Sequence, residues 1–300
     1  LSEDNAVTKK VRFTTPQADA FVIDQERVTL DVNRKNNTRR TSGVLPGVEP
    51  FRVSMLSPFQ NTRRNTIGVL PWIGWNNADK TMLGLLLYNP PLPPRKLQVY
   101  VLPGYAIGSK KWVGIADVRY RFHPGGLFPK VTVGFGAKTF DIDYNFERQY
   151  YTRFYRFAPL VRADLRSGSN AFHHALNFRT LFIGEEEPRF NPEGNFVEKI
   201  WRKSTIHELR YEGEQKMSPN PYRFQVALET QDFNDAFDRP ASYLRGTLEW
   251  RQQFYFKPKR KLTARVFAGY FLKNTLRHNN INPPYNALSL NPQGFNDYKY

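Results

Sequence analysis

The chain contains no cysteine, so its own residues can form neither a disulfide nor a thiolate metal site. It also has no run of about 18 apolar residues, the length that a membrane-spanning helix needs. The longest apolar stretch is residues 82–88, and the mean hydropathy is −0.60. The polar start at residues 1–4 lacks the basic and apolar regions of a signal peptide, and the first residue is not Met. We therefore expect a mature or excised piece of a longer protein.

Acidic residues are in short supply, since 27 of them stand against 44 basic ones and give a net charge of +17. A basic excess is typical of proteins that bind nucleic acid or anionic membrane surfaces. Here the basic residues are dispersed, with short clusters such as residues 257–261, and no helix-turn-helix, zinc-finger or RNA-binding signature accompanies them. We predict no nucleic-acid partner and interpret the basic residues as parts of solvated or lumenal strand faces.

Helical periodicity is nearly absent, and strand periodicity takes its place. From about residue 67 the chain is predicted to form roughly eleven strands, most of about 9–14 residues, separated by breakers. Strands of soluble proteins average about 5–6 residues, whereas a tilted membrane-spanning strand needs about 9–11. Aromatic residues make up 15% of the chain, and several lie near predicted strand ends. The sequence therefore predicts an all-β fold, an antiparallel outer-membrane β-barrel of about 12 strands.

The stretch KWVGIADVRYRF at residues 111–122 has one apolar face and one charged face. Every second residue from Trp112 to Phe122 is apolar or small, and the residues between them end in charges. In a membrane barrel the apolar face contacts lipid and the polar face lines the lumen. Alternation along this and other strands predicts these lumen-facing polar residues: Asp117, Arg119, Arg121, Arg156, Arg162, Arg179, Glu208, Arg210, Arg223, Glu229, Glu249 and Arg251. The predicted membrane-interface aromatics are Trp72, Trp75, Trp112, Tyr120, Phe122, Trp250 and Tyr255.

Alternation alone does not decide which face is inside, because soluble sandwiches and lipocalin-like barrels also alternate. In a soluble protein the charged face would be the ordinary wet exterior. Strand length, aromatic content and connection lengths favour the membrane barrel. We expect short connections such as residues 108–111 and 166–170 to form the turns of one end, and long ones such as residues 185–203 and 277–300 to form the loops of the other.

Three stretches resemble motifs that carry chemistry, and each has a plainer interpretation. IHELRYE at residues 206–212 begins like the zinc-peptidase helix motif, but Tyr211 stands where the second ligand belongs, and the residues alternate as in a strand. His173 and His174 are adjacent, so in a strand they point to opposite faces and do not easily chelate one ion. GFGAKT at residues 134–139 lacks the glycine spacing of a phosphate loop. We predict no catalytic residue, no metal ligand and no cofactor in this chain.

Two stretches resemble one known family. AFVIDQERVTLDVNRKNN (residues 20–37) resembles the end of the soluble part of certain bacterial gluzincin aminopeptidases. LPWIGWNNADKTMLGLLLYNPPLPPRKLQVYVLPGYAIGSKKWVGIADVRYRF (residues 70–122) resembles the start of a C-terminal region in the same proteins. These are outer-membrane-linked members found in some Gram-negative bacteria. The resemblance covers residues 20 to about 140 best, and it is of moderate specificity.

The resemblance implies a two-part protein, a periplasmic or surface zinc peptidase followed by an outer-membrane β-barrel. This chain contains no HExxH motif and no Gly-Ala-Met-Glu-Asn substrate-binding stretch, so no catalytic residue is carried over, and whether the parent protein is a zinc metallopeptidase stays open. We expect residues 1–66 to be the tail of a soluble β-domain plus a linker. Residues 67–300 are then the barrel, and we expect the barrel to continue beyond Tyr300.

These observations predict an outer-membrane β-barrel that anchors or accompanies a peptidase-like periplasmic or surface module. Its expected location is the bacterial outer membrane, and its expected partners are outer-membrane lipid and other outer-membrane or periplasmic proteins. One alternative is a channel or transporter subunit for anionic solutes, which an Arg-rich lumen would suit. Another is a soluble all-β binding protein. Side chains leave little open space inside a barrel of about 12 strands, which favours the anchor over the channel.

Overall fold

The fold is all-β wherever it is defined. The computed structural model describes residues 18–26, 28, 37–41, 51–59, 61, 64–92, 94–148, 150–168, 171–216, 219–234, 239–257 and 260–275. Strands make up 78% of these residues, and none of them is helical. This part of the chain accordingly has no helix with the length and apolarity needed to span a membrane.

The strands range in length from three residues in β1 to 20 residues in β11. Within the described residues they are β1 (Ala20–Val22), β2 (Thr38–Arg40), β3 (Phe51–Met55), β4 (Asn65–Asn76), β5 (Lys80–Tyr88), β6 (Leu97–Ala106), β7 (Lys111–Phe122), β8 (Lys130–Asn145), β9 (Tyr150–Leu165), β10 (Phe172–Phe190), β11 (Phe196–Gln215), β12 (Tyr222–Asn234), β13 (Pro240–Lys257) and β14 (Arg260–Asn274).

Two sheets are present in the described residues. The strands β1 and β2 form a small antiparallel pair, and β3–β14 form a single sheet of 12 strands. From β4 to β14 each strand pairs antiparallel with the next one in sequence, whereas β3 pairs parallel with β4. Short connections between consecutive strands permit this meander, because antiparallel neighbours need only a hairpin. The predicted all-β, mostly antiparallel architecture is confirmed.

The large sheet is open. Its two edges are β3 and β14, and these strands do not pair with each other in the described residues. Because ten antiparallel pairings separate β4 from β14, these two strands run in the same direction. The predicted closure into a barrel is therefore not present in this structure. Residues 277–300, predicted as a long connection, lie outside the described residues.

The sequence predicts a domain boundary between residues 66 and 67, but one strand from before this boundary belongs to the large sheet. Residues 51–55, placed by the sequence in a linker, form β3 and pair with β4 in the large sheet. The small sheet of β1 and β2 is the other described structure within residues 1–66. Residues 1–17 and 42–50 lie outside the described part of the chain.

The predicted alternation of short and long connections is wrong. Most of residues 185–203 lie in β10 and β11, and only residues 191–195 form the turn between them. Cross-strand ion pairs hold this charged stretch in strands, with Glu186 bound to Lys199 at 3.1 Å and Glu187 to Arg202 at 2.7 Å. The short connections at residues 108–111 and 166–170 lie at opposite ends of the sheet, because successive hairpins of a meander close at alternate ends.

Candidate functional site

The register of the ladder sorts the side chains of β4–β14 into two faces of opposite chemistry. Residues directly opposite on neighbouring strands share a face, and successive residues of one strand alternate between faces. All twelve polar residues predicted from the sequence to share one side do so. We call it the charged face, and it carries Asp117, Arg119, Arg121, Arg156, Arg162, Arg179, Glu208, Arg210, Arg223, Glu229, Glu249 and Arg251.

Glu208 lies at the centre of the charged face and is only 2% exposed. Its carboxylate binds two guanidinium groups, Arg179 at 3.0 Å from the neighbouring strand and Arg210 at 2.6 Å from its own. An ionised carboxylate is costly to bury unless it is paired and hydrogen-bonded. These contacts satisfy both conditions, so the three side chains form one compact unit on the face.

Two further glutamates towards the β14 edge are also buried and paired with arginine. Glu229 is 4% exposed, and it accepts hydrogen bonds from Arg245 and from the Tyr243 hydroxyl, each at 2.6 Å. Glu249 is also 4% exposed and binds Arg265 at 3.0 Å, and in addition it binds Arg251. The carboxylates of neighbouring strands are thus each enclosed by cations from adjacent positions, which is how a sheet face can bury charge.

A chain of ion pairs crosses β8–β12 near one end of the sheet. Lys130 lies 2.6 Å from Asp164, and Asp164 lies 2.9 Å from Arg162. Arg162 also binds Glu212, which lies 3.8 Å from Arg223. The Arg162–Glu212 contact spans two strands, from β9 to β11. It passes over Ala175, which is fully buried and is the direct neighbour of Asp164 on one side and Glu212 on the other.

These ion pairs line an open cavity of ≈ 560 Å³. The walls also include His123 and His173, so acidic, basic and imidazole groups all meet there. Elsewhere on the face, Arg119 binds Asp117 at 2.8 Å, and Arg121 donates to Gln98 at 2.7 Å. The charged groups that line the cavity thus largely neutralise one another, and apolar residues such as Leu165 and Ala175 complete its walls.

A second polar cluster ties two turns to β8 at the opposite end. Asp79 is fully buried and accepts hydrogen bonds from the Ser109 hydroxyl, from Asn76 Nδ2 at 3.0 Å and from the backbone N–H of Asp141 at 2.9 Å. The carboxylate of Asp141 is itself buried, and Lys111 lies 3.2 Å from it. The β4–β5 turn, the β6–β7 turn and β8 are thereby held together.

The opposite face is apolar and exposed, and we call it the apolar face. Phe157, Phe182, Val226 and Leu248 are 43–44% exposed on it. In the described residues, far more large apolar side chains are exposed than buried. Soluble monomers rarely expose contiguous apolar patches larger than a few hundred Å², and larger ones mark protein or membrane contacts. Contact of this face with water is thus energetically unfavourable.

Aromatic rings concentrate near both ends of the apolar face. Near the β11–β12 end, Trp250 stacks on Tyr222 with ring centroids 4.9 Å apart and on Phe224 at 5.8 Å. Near the other end, Tyr155 lies 5.1 Å from Trp201. Aromatic pairs of this kind stabilise a sheet beyond the area they bury. The rings therefore cluster at both ends of the exposed apolar stretch.

The seven aromatics predicted for the membrane interfaces divide between the two faces. Trp72 and Tyr255 lie on the charged face, so they do not belong with the others. The Trp72 indole packs over Gly84 and Gly104, and the Tyr255 hydroxyl donates to Gln253 at 2.9 Å. Those on the apolar face are Trp75, Trp112, Tyr120, Phe122 and Trp250.

The zinc-like stretch lies within β11, as its alternation predicts. His207 is on the apolar face, where it pairs with the Thr180 hydroxyl at 2.9 Å, while Glu208 is on the charged face. His173 and His174 likewise lie on opposite faces of β10. No group of three or more His, Asp or Glu side chains in the described ranges is placed to hold one metal ion.

Sequence reasoning did not select several residues that complete the ion pairs. Arg245 and Arg265 are examples, and both stand at positions that strand alternation assigns to the charged face. The Asp79–Asp141 contact joins residues 62 positions apart, and no local pattern indicates it. Comparison of the chain with known proteins adds no further evidence, because no family model, no curated protein and no solved structure matches it. The resemblance to a gluzincin-associated region stays a prediction.

Proposed function

We propose that this chain is an outer-membrane β-barrel that anchors or accompanies a periplasmic or surface module. The observation that carries the proposal is the inversion of the two faces. Buried glutamates such as Glu208 are enclosed by arginines on one side, while phenylalanines such as Phe157 and Phe182 are over 40% exposed on the other. A water-soluble sheet normally has the opposite arrangement.

The energetics of a bilayer fit both faces. Exposed apolar area loses roughly 25 cal/mol per Å² of favourable transfer energy when it stays in water, and lipid removes this penalty along the whole apolar face. The charged face needs water or counter-charges, and a lumen supplies water while the ion pairs of Glu229 and Glu249 supply charge. Strand lengths of 9–20 residues from β4 to β14 suffice to cross the apolar layer at a tilt.

Closure of the sheet is a requirement of the proposal. Unpaired backbone groups in hydrocarbon cost several kcal/mol each, so open edges are not tolerated in lipid. The edges at β3 and β14 must therefore find partners in the membrane-inserted state. Because β4 and β14 run in the same direction, one strand antiparallel to both, taking the place that β3 occupies on β4, would complete an even-numbered antiparallel barrel of 12 strands, of the kind that bacterial outer membranes contain.

An anchoring role is favoured over a conducting one. The guanidinium groups of Arg162, Arg179, Arg210 and Arg245 are engaged with carboxylates on the charged face. Side chains bound in this way fill the interior of a barrel of about 12 strands rather than leave a pore. The association with a peptidase-like module is supported by the two sequence resemblances alone, and it is proposed on that basis.

The test is the electrophoretic mobility of detergent-folded protein before and after boiling. A closed membrane barrel resists dodecyl sulfate until heated, so we expect a shift in mobility on boiling and loss of solubility when detergent is removed. A chain that stays monodisperse in detergent-free buffer and runs identically with and without boiling would instead be a soluble all-β binding protein. Planar-bilayer recordings then separate the anchor, which carries no steady current, from a channel for anions.

A further inference from the structure

The position of the exposed apolar stretch along the strands shifts steadily from one strand to the next across the sheet. On β7 it runs over eleven residues, from Trp112 to Phe122. On β13 an equal length of the regular ladder runs from Leu244 to Phe254, within which Gln252 is polar and donates to the Asn220 carbonyl at 2.8 Å. The two stretches do not lie side by side.

The register measures the displacement between the two stretches. Following the paired residues strand by strand from Phe122, the last apolar position of β7, leads to Leu248 on β13. Within the regular ladder, the apolar stretch of β13 continues six residues further, to Phe254, and the exposed Phe256 follows in the irregularity between Tyr255 and Lys257. Since six strand-to-strand steps separate β7 from β13, its boundary moves by one residue per strand.

The other boundary of the apolar stretch moves in the same direction. One unbroken row of directly paired residues shows this, because its apolar members lie on β8–β10 and its polar members on β11–β13. In strand order, the row is Ala137, Phe157, Phe182, Thr205, Asp232 and Ser242. Lys203, two residues from Thr205 on the same face, is also exposed. A flat band perpendicular to the strands would not change character along a row.

We propose that both boundaries are the two interfaces of one bilayer, crossed by tilted strands, so that the lipid-contact belt runs obliquely over the apolar face. This inference rests on the proposed function and specifies which residues of that face touch hydrocarbon. With about 3.3 Å per residue and about 4.8 Å between strands, one residue per strand corresponds to a tilt of about 35°. The ten residue-to-residue steps from Trp112 to Phe122 span about 27 Å at that tilt, which matches the roughly 25 Å apolar band of outer-membrane barrels.

The belt therefore excludes part of the apolar face. Thr205, Asp232 and Ser242 lie beyond the interface, in the headgroup or aqueous region, although Phe157 and Phe182 in the same row lie within the hydrocarbon. A charged side chain such as Asp232 is costly near the bilayer centre and costs much less at the interface. The oblique belt thus explains why this part of the face carries charged side chains such as Asp232 and Lys203.

Single-cysteine labelling tests the belt, because the chain has no cysteine of its own. The matched variants are Ala116→Cys and Ala137→Cys against Thr205→Cys and Ser242→Cys. All four residues are half-buried, all four lie in one row, and every substitution is small. The folded variants are placed in phosphatidylcholine nanodiscs, where both membrane sides are open, and treated with a charged, membrane-impermeant maleimide. Labelling in urea controls for thiol reactivity.

We expect the two alanine positions to stay unlabelled in nanodiscs and the Thr205 and Ser242 positions to label. Equal protection of all four would overturn the oblique belt while leaving membrane insertion intact, since the row would then lie at one depth. Full labelling of all four in nanodiscs would overturn both the belt and the proposed function, because no part of the face would contact lipid. Both of these results differ from the expected one, in which the alanine positions are protected and the other two positions are labelled.

Discussion

The guanidinium group of Arg179 lies 3.0 Å from the carboxylate of Glu208, directly across the β10–β11 ladder. This ion pair is at the centre of a face on which charge is buried, and the reverse of the same strands exposes phenylalanines. The contrast between these two faces is the physical basis of every proposal made for the molecule. It also predicts which substitutions the sheet tolerates.

Replacing Arg179 by Met should destabilise the folded protein by about 3–5 kcal/mol, because one guanidinium partner of a buried carboxylate is lost. Glu208→Gln combined with Arg179→Met should recover part of that loss, since the buried charge is then removed as well. The measurement is the midpoint of urea unfolding in detergent, with Lys216→Met as control. Lys216 is exposed and pairs with Glu214 at 3.3 Å, and such surface pairs contribute only about 0–1 kcal/mol. A loss of equal size for Lys216→Met would contradict the assignment of a buried network.

The Trp72 ring is predicted to require glycine at the positions over which it packs. A Cβ added to Gly104 would lie 2.6 Å from the Trp72 ring, closer than van der Waals contact permits. Gly104→Ala should therefore destabilise the folded state by roughly 1–3 kcal/mol through overpacking, and adding Trp72→Leu should restore most of it. Gly136→Ala is the matched control, because its Cβ would meet no atom closer than 3.8 Å. Unfolding midpoints compare the three variants, and an equal loss for Gly136→Ala would dismiss the steric explanation.

Asp79 is predicted to hold the two turns and β8 together. Asp79→Ala removes the acceptor of the Ser109 hydroxyl and of the Asp141 backbone N–H, and one of the two acceptors of Asn76 Nδ2, and each buried unsatisfied group costs about 1–3 kcal/mol. Hydrogen exchange should then quicken in both turns at this end of the sheet while the β11–β13 core stays protected. Asn77→Ala, at the exposed neighbouring position, should change nothing. Unchanged exchange in Asp79→Ala would show that the turns are held by other contacts.

How much of this was visible in the sequence depends on whether a feature is local. Period-two alternation identified the strands and placed Arg179 and Glu208 on one face, because the side-chain direction of a strand is fixed by position. The same rule places Trp72 and Trp75 on opposite faces, because they are an odd number of residues apart. The prediction that both belong to one membrane-interface set did not apply this rule. The connection at residues 185–203 was misassigned because cross-strand ion pairs kept polar residues in β10 and β11.

Contacts between distant parts of the chain could not be read in this way. The Asp79–Asp141 contact depends on how a turn folds over β8, and neither residue has a local pattern that indicates the other. Strand register also lies beyond alternation, since period two fixes the face of a residue but not its partner. The displacement of one residue per strand, on which the oblique belt depends, therefore required the ladder itself.

The most direct test of the central claim is a pair of lysine substitutions at adjacent positions of β7. Val118 lies on the apolar face and Arg119 on the charged face. A lysine facing lipid near the midplane costs about 2–4 kcal/mol, so Val118→Lys should abolish or strongly reduce folding into phosphatidylcholine vesicles, measured as the heat-modifiable fraction. Arg119→Lys should fold like the parent protein. If Val118→Lys folds into the vesicles as well as the parent protein, the apolar face does not contact lipid, and the proposed orientation is wrong.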